Sequence, residues 1–297
     1  MNDNFLNVYF KKKRIIFLRG LIFLIITLLL VLSISELSQN SSKYIAKIEI
    51  NELILSNPKL LKKIEDISED NNLKGVLVSV NSPGGTVVSS QQLYKALINI
   101  GKNVPIVVSM KEVAASGGYM VSLAANKIFC FEGTITGSVG VILQSANIEN
   151  LLTKLGVKPL IYKSGSLKAV PNPIEEETPE GKSSIKRVID NMFIQFIGLV
   201  NERRKISKEN LELISDGRIF TGVQAKEINL IDEIGTENDA LNWLKEFTNS
   251  EKDISIINIK EEETILNLFN MSKLNNLFNK NLVLTSGIFA LWSPYYE

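Results

Sequence analysis

The sequence predicts an α/β protein built on a parallel sheet. Apolar strand segments alternate with single helices at spacings of roughly 25 to 30 residues, which is the pattern of repeated βαβ units. Gly-rich turns follow several of these strands, as is typical of strand-to-helix junctions. The chain has 297 residues, and we expect one large domain with a buried core.

Six apolar segments are the predicted strands. The first alternates apolar and polar residues as a half-buried strand does, and the fifth combines a glycine-punctuated turn with a strand. The turn NSPGG follows the second. In chain order the six are YIAKIEI, GVLVSV, PIVVSM, KIFCF, TITGSVGVI and VKPLIY.

Single helices are predicted between these strands. Helical patterns cover about residues 59–69, 87–100 and 147–156, and AASGGYMVSLAAN indicates a loop that enters a buried helix of small residues. A long amphipathic helix from Thr178 to Arg204 follows. Its threonine caps the N-terminus, a proline occupies the first turn, and a glutamate favours the helix dipole.

Composition excludes several classes of function. The net charge is +1 and the body contains no Lys/Arg-rich stretch, so we expect no nucleic-acid partner. The single cysteine, Cys130, lies in an apolar run, so we expect it to be buried, and it cannot form an intrachain disulfide. With no histidine and one cysteine, the sequence gives no sign of a metal site.

The N-terminus predicts a transmembrane helix. Basic residues at 11–14 precede the stretch 15–34, in which Arg19 is the only charge and which has about the 20 residues that a spanning helix needs. The positive-inside rule places residues 1–14 in the cytoplasm and the rest across the membrane. A cleaved signal peptide is the competing interpretation, because Ser33-Ile34-Ser35 loosely resembles a cleavage site; a buried core helix is the other.

The remaining boundaries follow from composition. Residues 35–43 form a polar linker, residues 44–260 the main domain and residues 261–297 a C-terminal extension. The extension carries several leucines before the apolar segment GIFALW, which is typical of a core helix or a docking segment. Contact with the membrane surface, or occupation of a neighbouring protomer's cleft, is the alternative.

Three glycine-rich turns each follow an apolar strand, at residues 82–85, 115–118 and 136–140. In parallel α/β folds, sites gather at the carboxyl ends of the strands. We therefore expect the three turns to converge on one crevice.

The second of these turns places Ser116 where a nucleophile would lie. A serine at a helix N-terminus projects into the positive end of the macrodipole, and the following glycines expose their own amides. Such a site suits an oxyanion, with the backbone N–H groups of Gly117 and Gly85 as donors. Losing one such donor typically costs about 3 kcal/mol of transition-state stabilisation.

A nucleophilic Ser116 needs a base, and the absence of histidine excludes a Ser-His-Asp triad. A carboxylate or a lysine remains. A lysine is a base only when its amine is uncharged, which apolar surroundings without a carboxylate favour. Lys168, in GSLKAV, has small and apolar neighbours and is the candidate.

The ordered set of motifs resembles signal peptide peptidase A, a family of bacterial membrane-anchored serine proteases with the Clp protease and crotonase fold. The resemblance covers about residues 44–245, and the anchor and single-domain length resemble the short form of the family. The motifs are SPGG, AASGGY, TGSVGV, a lysine some fifty residues past the serine, and DGRIFTGVQAKEINLIDEIG.

The resemblance implies a Ser-Lys dyad in which Ser116 is the nucleophile and Lys168 the general base. Ser138 would orient the lysine amine. The amides of Gly85 and Gly117 match the family's oxyanion hole, and no cofactor or metal is implied. The last motif, residues 216–235, receives no chemical role.

The resemblance also implies substrates, assembly and location. The substrates would be remnant signal peptides in the membrane. The chain would be a single-pass protein of the bacterial inner membrane, held in the lipid by its anchor, with the protease domain on the periplasmic side. Protomers would form a homo-oligomeric ring in which the serine of one subunit meets the lysine of its neighbour.

Two departures from the family pattern are visible, and three alternatives stay open. Met120 stands where a second aromatic is common, and Asn172 where a small hydroxyl residue often precedes the proline. The alternatives are another membrane-anchored Ser-Lys protease of the same fold with a different substrate, a crotonase-like acyl-CoA enzyme, and a non-enzymatic membrane scaffold.

Overall fold

The structure, a computed structural model, describes residues 17–30, 43–259 and 289–291. Residues 17–30 form a helix, α1, inside the predicted anchor. The other residues of the anchor, the basic tail and most of the C-terminal extension lie outside the described residues. Within the described ranges, no helix has both the length and the apolar character that a membrane crossing requires.

The described strands and helices follow the predicted order closely. The strands are β1 (Tyr44–Asn51), β2 (Leu73–Ser82), β3 (Gly84–Thr86), β4 (Ile106–Ala115), β5 (Lys127–Cys130), β6 (Ile135–Gly137), β7 (Ile219–Thr221), β8 (Glu233–Ile234), β9 (Ser255–Ile259) and β10 (Phe289–Leu291). The helices after α1 are α2 (Pro58–Ser68), α3 (Val87–Ile100), α4 (Gly117–Ser122), α5 (Glu149–Lys154), α6 (Pro179–Arg204), α7 (Lys208–Ile214), α8 (Gly222–Glu227) and α9 (Glu237–Phe247).

One sheet organises the described domain. Its main path runs β7-β6-β4-β2-β1-β9, and β5 pairs with β4 and with β8. All of these pairs are parallel except β6 with β7, so the sheet is mixed. Single helices α2, α3 and α4 connect successive parallel strands, which confirms the predicted α/β class and its βαβ units.

Three local predictions were wrong. The turn NSPGG is extended instead, because β2 continues to Ser82 and β3 begins at Gly84. In TITGSVGVI the strand comes first and ends at Gly137, the first of the two glycines. VKPLIY forms no strand and exposes Leu160 and Tyr162, because an apolar run supplies no hydrogen-bonding partner and β7 pairs with β6 instead.

The core lies on both faces of the sheet. The larger cluster packs side chains of β1, β2 and β4 against α2, α3, α4 and α6. A smaller cluster on the opposite face places Ile45 and Leu77 under Leu244 of α9. β1 is therefore buried on both faces rather than half-buried as predicted. Cys130 is buried as expected, and burial raises the pKa of its thiol to about 11.

A charged cluster fastens α9 to the sheet. Glu237, at the start of α9, accepts hydrogen bonds from Lys47 of β1 at 2.7 Å and pairs with Lys111 of β4 at 2.6 Å. Burial raises the pKa of Glu237, but the hydrogen bonds from Lys111 and Lys47 outweigh it and lower the pKa from 4.5 to about 2. Because the folded-state pKa is lowered, the stabilisation is present above the unfolded-state pKa and is lost as pH falls towards 2.

We expect Glu237→Gln to lower the free energy of unfolding by about 2 kcal/mol at pH 7 and by less than half of that at pH 3. Urea unfolding of the full chain at the two pH values measures this difference. Glu246→Gln, on an exposed position of the same helix, is the control and should change neither value. An equal loss at both pH values for Glu237→Gln would contradict the electrostatic origin.

Candidate active site

The three glycine-rich segments meet at the carboxyl ends of neighbouring strands, as predicted, although the first of them is extended rather than a turn. β2, β4 and β6 are neighbours, and the pairing register sets Ser82 beside Ala114 and Ala115 beside Gly137. β4 changes partner along its length, since residues 107–110 pair with β5 and residues 113–115 with β6. The end of β4 is therefore enclosed between the ends of two other parallel strands.

Close backbone approaches explain why two of the glycines are needed. A Cβ on Gly118 would lie 2.6 Å from the carbonyl oxygen of Ser82, and one on Gly85 would lie 2.0 Å from that of Ile54. A side chain at either position would force the backbone apart. The first glycine-rich segment, residues 82–85, thus packs directly on the start of α4, which follows Ser116.

Ser116 is held in a strained backbone conformation between β4 and α4. Its φ and ψ are 53° and −114°, a region that L-residues rarely adopt. Its N–H donates to the Gly137 oxygen at 2.8 Å, and its own carbonyl accepts from Met120 at 2.9 Å. The backbone is thus fixed on both sides.

The hydroxyl of Ser116 has no hydrogen-bond partner among the described residues, although the residue is only 1% exposed. A buried hydroxyl left unpaired costs about 1 to 3 kcal/mol. The hydroxyl of Ser109 in β4 is also without a partner in the described part of the chain, so it is the strained backbone and the strand-end position of Ser116 that favour a catalytic explanation for its hydroxyl.

Ser138 lies beside Ser116 at the adjoining strand end, because Ala115 is paired with Gly137. Its backbone is also left-handed, with φ 49°, and its N–H donates to the Arg218 oxygen at 2.9 Å. The structure therefore brings together Ser116, Ser138 and the segments that contain Gly85 and Gly118.

The motif at 216–235, which received no role from the sequence, supports this strand end. β7 pairs antiparallel with β6 and sets Phe220 opposite Thr136. The side chain and backbone of Arg218 hydrogen-bond to Asp216 and lower the pKa of that carboxyl. The motif holds Gly137 and Ser138 in place through backbone contacts, a function that no local sequence signal indicates.

The predicted oxyanion donors lie on the same edge. Gly117 is the first residue of α4, which packs against β3. On β3, the carbonyl of Gly84 and the N–H of Thr86 bond to Ile54 at 2.8 and 3.0 Å. Since alternate backbone groups of a strand point to opposite edges, the N–H of Gly85 points away from Ile54.

Lys168 makes no hydrogen bond to the Ser116 hydroxyl within the single chain. It lies in the loop between α5 and α6, its side chain is exposed, and its backbone N–H donates to the Gly165 oxygen at 3.1 Å. The dry surroundings that we expect for the base are not provided by this chain alone. In the described ranges, no cluster of side chains could hold a metal ion.

A polar network closes the loop that carries Lys168. Lys163 and Glu175 form an ion pair across the loop, with side chains 17% and 29% exposed. Asn172 donates to the same carboxylate at 2.8 Å, and Asn147 donates to the Glu175 backbone oxygen at 2.9 Å. Asn172, a departure from the family pattern, thus helps to brace the loop.

Comparison with known proteins identifies the family of this chain. Residues 99–251 match peptidase family S49. The chain belongs to this family. A relative named as a protease in Synechocystis sp. is 39% identical over 69% of this chain and 74% of its own length. One named as a signal peptide peptidase in Enterococcus faecium is 36% identical over 75% of this chain and 69% of its own.

The S49 membership confirms the resemblance to signal peptide peptidases and identifies the chain as a serine protease. Protease 4 of Haemophilus influenzae is 29% identical over 67% of this chain and 32% of its own length. Among solved structures, a ClpP1 mutant of Listeria monocytogenes has 19% identity and a TM-score of 0.44, covering 66% of this chain and 94% of its own. The 1510-N membrane-bound stomatin-specific protease, as a mutant in complex with a substrate peptide, has 14% identity and a TM-score of 0.46, covering 75% and 94%.

Removing the Glu175 carboxylate should open the loop around Lys168. We expect Glu175→Gln to raise the rate of trypsin cleavage after Lys168 about tenfold, since loss of a partly buried ion pair raises the population of the open loop. Mass spectrometry of the fragments measures the rate. Glu176→Gln, at an exposed neighbouring position, should leave it unchanged, and equal rates for both variants would exclude the brace.

Two buried serines at the two ends of α4 should respond to alanine in opposite directions. The hydroxyl of Ser116 is unpartnered, whereas that of Ser122 donates to the Gly118 oxygen at 2.8 Å. We expect Ser116→Ala to raise the free energy of unfolding by about 1 kcal/mol and Ser122→Ala to lower it by about 1 kcal/mol. Chemical denaturation of the full chain tests both, and destabilisation by Ser116→Ala would contradict the unpaired hydroxyl.

Proposed function

We propose that this S49 protease is a membrane-anchored endopeptidase in which Ser116 is the nucleophile and Lys168 the general base. The observation that carries the proposal is the buried, unpartnered hydroxyl of Ser116 on a strained backbone. Ser116 lies where the ends of β2, β4 and β6 meet, beside the other two glycine-rich segments. A hydroxyl kept free of structural hydrogen bonds is available to a base and to a substrate.

The proposed chemistry is acyl transfer. The uncharged amine of Lys168 takes the proton of the Ser116 hydroxyl while its oxygen attacks a peptide carbonyl, and the amides of Gly85 and Gly117 hold the oxyanion. The lysine then returns the proton to the leaving amine as the C–N bond breaks. A water molecule, deprotonated by the same amine, hydrolyses the acyl-enzyme and restores the serine. Ser138 would orient the amine.

We further propose that the lysine reaches the serine from a neighbouring copy. Lys168 is exposed in the single chain, and the segment before it, which comprises α5 and the irregular stretch after α5, exposes large apolar side chains. These are Leu151 at 55%, Leu155 at 67%, Leu160 at 80% and Tyr162 at 92% exposure. Contiguous exposed apolar side chains are typical of a protein interface. A second protomer packed there would bury these side chains and exclude water from the surroundings of the Lys168 amine.

The substrate class and location are also proposals. The Enterococcus faecium relative is named as a signal peptide peptidase, and the N-terminal sequence of this chain has a basic segment before an apolar one. Remnant signal peptides would meet an enzyme anchored in the bacterial inner membrane with its protease domain on the periplasmic side. Lipid around the anchor would then be its second partner.

Mixed assemblies test the shared site. Ser116→Ala and Lys168→Ala should each be inactive on a small peptide substrate. Full chains carrying the two changes, co-expressed with different tags and purified through both, should recover about a quarter of the wild-type activity. In a ring of random order, that is the share of interfaces that join an intact serine to an intact lysine.

The outcomes separate assembly from chemistry. If well-folded mixed assemblies show no activity while wild-type assemblies are active, the shared site is wrong. A serine-directed phosphonate should label Ser116 in wild-type protein and not in Ser116→Ala. Absence of that label from an active wild-type enzyme would contradict the nucleophile itself.

A further inference from the structure

The phenol of Tyr119 joins the helix that follows Ser116 to a distant part of the chain. Tyr119 is the third residue of α4 and is fully buried. Its hydroxyl donates a hydrogen bond to the backbone oxygen of Leu230 at 2.9 Å, across 111 residues of sequence. Burial raises the pKa of the phenol, so the hydroxyl keeps its proton and remains a donor.

The acceptor of this hydrogen bond belongs to a segment that is closely packed. Residues 218–230, the 218–230 segment, contain β7, α8 and the turn after α8. A Cβ on Gly222 would lie only 2.0 Å from the backbone oxygen of Phe131, so the start of α8 is pressed against the main chain. Leu230 is fully buried, and its N–H donates to the Ala225 oxygen at 2.8 Å. The position of the Leu230 carbonyl is therefore set by the fold.

The same segment also holds the second serine of the candidate site. The backbone oxygen of Arg218, the first residue of the segment, accepts a hydrogen bond from the N–H of Ser138 at 2.9 Å. The backbone oxygen of Leu230, the last residue, accepts one from the hydroxyl of Tyr119. The 218–230 segment thus fixes the strand end that carries Ser138 relative to the helix that follows Ser116.

Two adjacent residues hold the first turn of α4 against different parts of the domain. Gly118 packs on the Ser82 carbonyl so closely that a side chain has no room, and Tyr119 is bonded to Leu230. Gly117, the predicted oxyanion donor, directly precedes them. Because α4 has only six residues and behaves as one short unit, a displacement of Tyr119 also displaces the Gly117 amide.

We propose that Tyr119 is a positioning residue of the peptidase reaction, whose hydroxyl keeps the Gly117 amide aimed at the oxyanion by tying α4 to the 218–230 segment. The inference rests on the proposed function, because it takes the Gly117 amide as an oxyanion donor. Tyr119 is buried and acts only through the helix that carries it. An oxyanion donor must lie about 3 Å from the developing charge, and a misplacement of about 1 Å can cost a hundredfold in rate.

Removing one hydroxyl tests the proposal in the full chain. Tyr119→Phe keeps the ring in the core. Tyr44→Phe is the matched control, because the Tyr44 hydroxyl donates to Asp70 at the same distance of 2.9 Å, at the start of β1. We expect Tyr119→Phe to lower kcat for a small peptide substrate about tenfold with KM within about twofold, since a displaced oxyanion donor weakens binding of the transition state alone. Tyr44→Phe should keep the wild-type kcat.

The control separates positioning from a loss of stability. Each variant loses one tyrosine hydrogen bond, so destabilisation by itself would affect both in the same way. Thermal unfolding defines a temperature at which both variants are folded, and kcat is compared there. An equal fall in kcat for the two variants overturns the proposal, and so does an unchanged kcat in Tyr119→Phe.

A second measurement is independent of catalysis. In the Ser116→Ala background, deuterium uptake by the peptide that covers residues 117–123 should be faster with Tyr119→Phe than with Tyr44→Phe. Equal uptake in the two variants means that the hydroxyl does not hold α4, and the proposal is wrong. If the uptake differs but the wild type cleaves no peptide, the hold on α4 stands and the proposed function fails.

Discussion

The two-sided pairing at the end of β4 is the constraint on which the candidate site depends. Ala114 is registered beside Ser82 and Ala115 beside Gly137, so β4 is paired on both sides up to its last two residues. The carbonyl oxygen of Gly137 also accepts a hydrogen bond from the N–H of Ser116. The chain must then turn at once into a buried helix, and a left-handed residue at Ser116 is the result. Such strain, of order 1 to 3 kcal/mol, persists only where the surrounding contacts outweigh it.

Burial gives this geometry chemical consequences. α4 is buried along its whole length, so the serine and the first amides of the helix lie in a region from which most water is excluded. Hydrogen bonds to a developing negative charge are stronger there than in water, and fixed amides need no reorganisation to make them. The exposed amine of Lys168 contrasts with this environment. A protein surface that covers the amine would complete the same dry region.

The sequence indicated those parts of the site that depend on local chemistry and chain order. Glycine turns after successive parallel strands must meet at one sheet edge, so Ser116, Ser138 and Gly85 could be grouped without coordinates. Contacts between distant segments carried no comparable signal. Three such contacts are the brace between Lys163 and Glu175, the support of Ser138 by Arg218, and the pairing of β10 with β3. In each, nothing in the local sequence of one segment indicates which other segment it contacts. The prediction of a strand at VKPLIY failed for the opposite reason, since its apolar pattern was strong but an apolar run does not by itself specify a strand partner.

The support of Ser138 by Arg218 also has a consequence for biogenesis. The groups that fix Ser116 extend from Ile54 to Arg218, so most of the domain must be synthesised before they can assemble. A chain still emerging from the ribosome therefore cannot hold Ser116 in this backbone conformation. Contacts of such long sequence separation form late and slowly, so the strained serine is set only when the last supporting strand is in place.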